Sequence, residues 1–177
     1  MDRLDSKRAE VREILRDTER LGQQKGLVVG QVMTPSPSCI TPETNALELV
    51  RLFHAKQFRH LLVEDEEGHL VGVISDRDVI RCLGPDHSPQ RATLARITAA
   101  EIMSTDLVTA NLEMPLEEAV ARMLEEGISC LPVVSGQRLV GILTNTDLHV
   151  VLQLLLRMAR SSNWEESVAT TNFERHD

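Results

Sequence analysis

Two hydroxyl–carboxylate pairs recur at one spacing, Ser75-x-x-Asp78 and Thr144-x-x-Asp147, each directly after an apolar run. The spacing has two chemical uses. In a capping box the hydroxyl accepts from the amide three residues on, while the acid reaches back to the amide of the cap. Alternatively, a helix start offers unpaired N–H groups to an anion, and a carboxylate there accepts two hydrogen bonds from the vicinal hydroxyls of a ribose. Taken singly, either motif reads as a cap. Repeated where a buried strand breaks into a helix at a cleft edge, the pair gains a ligand-facing reading, and both roles can coexist. Cations would complete an anion site, and Arg59, His60 and Arg77 stand near the first pair, whereas Ser129, Cys130 and Thr146 hold the matching places near the second. The plain alternatives are that Arg59 and Arg77 are solvated or pair with Asp65 or Asp76, and that His60 is a core-edge histidine.

These motifs belong to a duplication. Leu70–Ile80 (LVGVISDRDVI) returns as LVGILTNTDLHV from Leu139, and VGQVM ending at Met33 returns as AAEIM ending at Met103. The offset is 70 at the methionines and 69 at the aspartates, so one residue is lost from a turn. Ala46, Leu49, Val50 and Phe53 correspond to Leu116, Ala119, Val120 and Met123 at the spacing of a helix with one buried face. Each copy reads as strand, helix, strand, strand, helix. In the first, Ser38 to Thr41 is extended, Pro42 with Thr44 opens a helix, His60 to Val63 is a strand, and Leu70 to Ile74 is a strand expected to be buried on both faces. The last helix begins near Ser75 and stops at Gly84-Pro85. In the second copy Pro115 starts a helix that Gly127 ends, and Leu131–Val134 and Leu139–Leu143 are the strand pair. The chain divides into an N-terminal amphipathic helix (1–27), a first repeat (28–84), a polar linker (85–98), a second repeat (99–158) and a tail (159–177) that lacks periodicity and reads as loose unless Trp164 and Phe173 anchor it.

Composition excludes several functions. With aromatic residues at 2%, the core is aliphatic. Residues 28 to 160 carry 11 basic against 17 acidic side chains, which gives no footprint for nucleic acid. No apolar run reaches the roughly 18 residues of a membrane span, and the charged start MDRLDSKRAE is unlike a signal peptide, so no membrane partner and a cytoplasmic location are expected. Cys39, Cys82 and Cys130 form no redox or disulfide pattern and read as small apolar fillers. The histidines lack zinc spacing, and neither a G-x-S-x-G elbow nor a P-loop occurs, so no metal site, no catalytic residue and no enzyme activity are expected. In the first 27 residues Leu4, Val11, Ile14, Leu15, Thr18 and Leu21 form a partial apolar stripe, suiting a surface helix or one that packs across a dimer interface.

The paired G-h-h-[ST]-x-x-D signatures, the L-P-V-V strand at Leu131–Val134 and the two methionine lead-ins resemble CBS domains, the cystathionine β-synthase-type repeat; two in tandem resemble a Bateman module, over roughly Val28 to Leu156. The resemblance implies an α/β (α+β) fold, two βαββα repeats packed as one pseudo-two-fold module with an N-terminal helix. It further implies a stand-alone regulatory module that binds an adenosyl small molecule between its repeats: AMP, ADP or ATP, with S-adenosylmethionine or NAD as further candidates, and none as an obligatory cofactor. On this reading the ligand is met by Ser75, Arg77, Asp78, Arg59, His60 and Cys39 in the first site, and by Thr109, Pro132, Thr144, Thr146 and Asp147 in the second. The first copy departs from the family where Leu62 replaces the usual proline and Cys39 stands opposite Thr109; the second has no evident cation. Phosphorylated ligands are therefore expected to prefer the first site. Family members commonly pair, which implies a homodimer through the faces Ala46–Phe53 and Leu116–Leu124, signalling to an unknown protein target. The competing reading is a ligand-free dimerisation or interaction scaffold of the same fold.

Overall fold

A computed structural model describes residues 3–20, 26–82 and 91–173, with side chains for 5–16, 26–82 and 91–160. Helix α1 (Arg3–Arg20) leads to a helical turn α2 (Val29–Val32) and two short strands, β1 (Thr34–Pro35) and β2 (Cys39–Ile40). Helix α3 (Ala46–Lys56) starts from Asn45, whose side chain accepts from the Glu48 amide at 3.0 Å. The cap is thus Asn45 rather than the Pro42 and Thr44 pair, and the acidic Glu48 in the first turn suits the helix dipole. Strands β3 (His60–Glu64) and β4 (Leu70–Ser75) flank a turn in which Gly68 takes φ +80°, a left-handed conformation that costs glycine little. Helix α4 (Asp76–Cys82) follows; Gly84 and Pro85 lie outside the described residues.

The second copy repeats the order through α6 (Ala99–Ile102), α7 (Leu116–Glu125), β5 (Cys130–Ser135), β6 (Arg138–Thr144) and α8 (Asn145–Phe173). Its opening strand is reduced to one parallel bridge, Ala110 to Val133, which corresponds to the parallel pairing of β2 with β3. Before it, in the span read as a linker, a helical turn α5 (Arg91–Leu94) buries Leu94. In the span read as a tail without periodicity, the backbone is helical as far as Phe173, where α8 continues through the serines. Trp164 and Phe173 carry no described side chains, so any anchoring by them lies outside the described residues.

The two repeats exchange their lead-in segments. One sheet has the order β2-β3-β4 and the other β1-β6-β5, so β1 of the first repeat closes the sheet of the second. The reciprocal contact is a bridge between Val73 of β4 and Ser104 after α6. Glycines permit this approach: a Cβ at Gly141 would collide with the Met33 sulfur, and one at Gly72 with Met103. The methionine and glycine positions that mark the duplication therefore pair across the repeats, which locks each half to the other.

Packing follows from this exchange. Leu131, Val133 and Leu143 form one core with Val29, Val32 and Ala119, while Leu49, Leu61, Val63 and Ile74 form another. Leu62, Cys130 and Ile142 fill the seam between the sheets, with Cys39 partly buried against them. Cys39 and Cys130 fit the expected filler role, but Cys82 is exposed. Burial, with Glu64 beside it, pushes the Cys39 thiol up to about 12, and burial alone does the same at Cys130. Strand β4 departs from expectation, because Leu70, Val71 and Val73 are only half-buried and Ile74 alone of its large side chains is sealed. Helix α1 packs on its own chain: Val11 and Leu15 are buried among Val150, Val151 and Leu154 of α8, and Ile14 is half-buried. The stripe residues Leu4, Thr18 and Leu21 lie outside the described side chains.

Candidate functional site

Where β4 breaks into α4, the Ser75 amide and hydroxyl donate to Asp78 Oδ2 at 2.8 and 2.6 Å, and the Asp78 amide lies 3.3 Å from the Ser75 hydroxyl. Where β6 breaks into α8, the Thr144 amide and hydroxyl both donate to Asp147 Oδ2 at 2.7 Å. The capping chemistry is therefore present, and it occupies only one oxygen of each carboxylate. Asp78 Oδ1 meets the Arg81 guanidinium at 3.3 Å, on a side chain that is 79% exposed. Asp147 Oδ1 accepts from the Lys7 ammonium and from the Thr34 hydroxyl, the latter at 3.1 Å.

Each aspartate borders a cavity, of about 560 Å³ at Asp78 and about 470 Å³ at Asp147. Cavities of this size suit a nucleoside-sized ligand. The partition of side chains differs from the sequence grouping by repeat. The Asp78 cavity contains Ser75 and Arg77 together with Val108, Ser129 and Pro132 of the second repeat, whereas the Asp147 cavity contains Thr144 and Thr146 together with Ser38, Phe58 and Leu62 of the first. Arg59 and His60 line both. Pro132 thus sits with Asp78, not Asp147, and the proline-to-leucine departure at Leu62 falls in the Asp147 cavity. Asp147 is also not without cations, since Lys7 and Arg59 border its cleft. The described linings include neither Cys39 nor Thr109. Repeat periodicity locates residues along the chain but carries no information on this crossing of faces, because the exchange of lead-in segments is a long-range contact.

Arg59 and Arg77 are exposed and form no ion pair among the described residues; Asp65 instead faces His69 at 3.4 Å. Asp65, Glu67 and His69 do bring three ligand-type groups within 4.8 Å of one another. The Asp65 carboxylate there is used by the turn itself, accepting from the amides of Glu67 and His69 at 3.1 and 2.8 Å. Lys7 and Thr34 escaped sequence reasoning. The available signal was helical phase, since Lys7 stands one turn before Val11 on the apolar stripe.

His60 sits between the cavities with Nε2 2.9 Å from the Ser129 hydroxyl. Burial lowers its pKa below the ordinary 6.5, and the neighbouring Arg59 charge adds to the effect, so the imidazole is neutral at pH 7. Between the folded value and 6.5 the unfolded chain binds the extra proton, so stability falls as pH drops through that window. His60→Gln is expected to flatten the dependence of the urea midpoint on pH between about 7 and 5. An unchanged slope would assign the acid sensitivity to carboxylates instead.

A family model described as the CBS domain matches residues 29–85 and 99–153, and the chain belongs to that family. L-aspartate semialdehyde sulfurtransferase of Methanocaldococcus jannaschii is 27% identical over 122 residues, covering 68% of this chain and 22% of the relative, so the chain spans about a fifth of that protein. Among solved structures, the CBS domain pair of protein MJ0100 in complex with 5′-methylthioadenosine and S-adenosyl-L-methionine superposes with a TM-score of 0.63 at 26% identity, over 72% of this chain and 96% of that one. CBSX2, a protein of Arabidopsis thaliana, in complex with AMP gives a TM-score of 0.63 at 27% identity, over 76% and 99%. No helix among the described residues is long and apolar enough to cross a membrane.

Proposed function

We propose that this chain is a regulatory CBS pair that senses an adenosyl ligand of the AMP, ADP or ATP class in the clefts between its repeats and signals to a partner protein. The carrying observation is that both aspartates cap their helices through Oδ2, which leaves Oδ1 over, and that each residue borders a nucleoside-sized cavity. A ribose diol needs such an acceptor. Supporting the reading, CBS-pair relatives bind AMP, 5′-methylthioadenosine and S-adenosylmethionine. Arg59 serves the phosphate side of either cleft, and Arg77 adds charge at Asp78 only. Lys7 adds charge at Asp147 in the same way, so either cleft has cations for a phosphorylated ligand; S-adenosylmethionine and NAD are further candidates.

Calorimetric titration with AMP, ATP, S-adenosylmethionine and 5′-methylthioadenosine tests this. At least one ligand is expected to bind, and Asp78→Asn and Asp147→Asn should each remove one binding event, because Asn keeps size and capping ability but loses the charge. Ligand at a hundred times its dissociation constant adds about 2.7 kcal/mol, or roughly 5–10 °C in melting temperature for a chain of this length. Absence of binding by all four would make a ligand-free scaffold the better reading.

A homodimer belongs to the same proposal, with a corrected face. Ala46, Leu49, Leu116, Ala119 and Met123 point into the chain's own core, so the outward apolar surface is Val50, Ile80 and Leu124 with Leu152, Leu155 and Leu156 of α8. A light-scattering mass near that of one 19.8 kDa chain at micromolar concentration would sink the dimer.

A further inference from the structure

The stripe that seats α1 on the core ends in a charge. Lys7, Val11 and Leu15 fall at i, i+4 and i+8 on α1, and Asp147, Val151 and Leu154 fall at i, i+4 and i+7 on α8. Val11, Leu15, Val151 and Leu154 are buried in one cluster, so apolar packing sets the rotation of α1 and delivers Lys7 to Asp147. The two charged side chains are 12% and 4% exposed. Lys7 also donates to the Thr34 hydroxyl at 3.1 Å, and that hydroxyl donates to the same Asp147 oxygen. The oxygen concerned is Oδ1, the one that capping leaves over. Among the described residues the corresponding oxygen of Asp78 meets only a guanidinium reaching in from solvent, which water and ligand displace at little cost.

Resting on the reading of the clefts as ribose sites, we propose that α1 is a tethered competitor for the Asp147 cleft. Lys7 holds the oxygen that a ribose diol would use, so ligand enters there only when the Lys7 end of α1 lifts from α8. The Asp78 cleft carries no such restraint and fills first. Occupancy of the second cleft is then read out as movement of α1, which makes this helix the part of the molecule that reports ligand concentration.

Adenosine, which has the diol and no phosphate, is the probe, and Asp78→Asn restricts binding to the Asp147 cleft. In that background Lys7→Met, which keeps the aliphatic stem and removes the charge, is expected to tighten adenosine binding at least tenfold by calorimetry. With Lys7 present, adenosine is expected to speed amide hydrogen exchange across residues 5–16. That measurement needs no Lys7 variant and stands even if Lys7→Met folds poorly. Equal adenosine affinity with and without Lys7, or binding that leaves α1 exchange unchanged, overturns the competitor while leaving the ribose reading intact. Failure of adenosine to bind either protein overturns the ribose reading of the Asp147 cleft, and the competitor with it.

Discussion

Asp147→Ala is expected to cost about 3–5 kcal/mol, several times the roughly 0.5–2 kcal/mol of Asp78→Ala, although the two residues occupy equivalent places in the repeat. Both substitutions remove a helix cap. Only the first also strips a largely buried ammonium of its carboxylate, because Asp147 is 3% exposed and shares Oδ1 between Lys7 and Thr34. The Asp78 ion pair with Arg81 stands in solvent, where such pairs contribute little. Urea denaturation at pH 7 decides the matter. Losses of similar size would mean that Lys7 adds nothing beyond the cap.

Leu131→Ala should cost about 2–5 kcal/mol, whereas Leu124→Ala should leave the stability of dilute protein within about 0.5 kcal/mol of wild type. Leu131 is fully buried among Val133, Leu143 and Ala119, and truncation leaves a cavity that close-packed neighbours fill only in part. Leu124 is 76% exposed on α7. If the outward helical face is where two copies meet, Leu124→Ala raises the dimer dissociation constant instead. Sedimentation at graded concentration separates the two effects, and an unchanged constant would remove Leu124 from the interface.

The internal repeat was legible because duplication preserves periodicity, and the strand pair His60–Ser75 and the strand pair Cys130–Thr144 fall where the continuous apolar runs put them. Capping was legible too, since it is a contact between residues three apart. What escaped were contacts between distant residues. Nothing local to Thr34 tells that it lies beside Ile142, and that pairing is what moves Leu62 to the Asp147 cavity and Pro132 to the Asp78 cavity. Lys7 was hidden for the same reason. The continuation of α8 past Arg160 was missed on different grounds: extending an existing helix adds a hydrogen bond per residue without a new nucleus, so weak formers such as Ser161, Ser162 and Asn163 continue what Leu148 to Met158 began.

The exchange of lead-in segments bears on how the protein is made. Thr34 and Asp147 are 113 residues apart, and Lys7 and Asp147 are 140 apart. At a synthesis rate of about 5–20 residues per second, the beginning of the chain waits on the order of ten seconds before its partners leave the ribosome. Over that interval Met33 lacks the strand it packs against, and β4 has no Ser104 to cover its edge until α6 arrives. A nascent first repeat is thus an open sheet edge in search of a complement, and a second nascent chain can supply one. Ribosomes spaced closely on one message would favour mutual exchange between neighbouring chains, so the time between two methionines governs which pairing is made first.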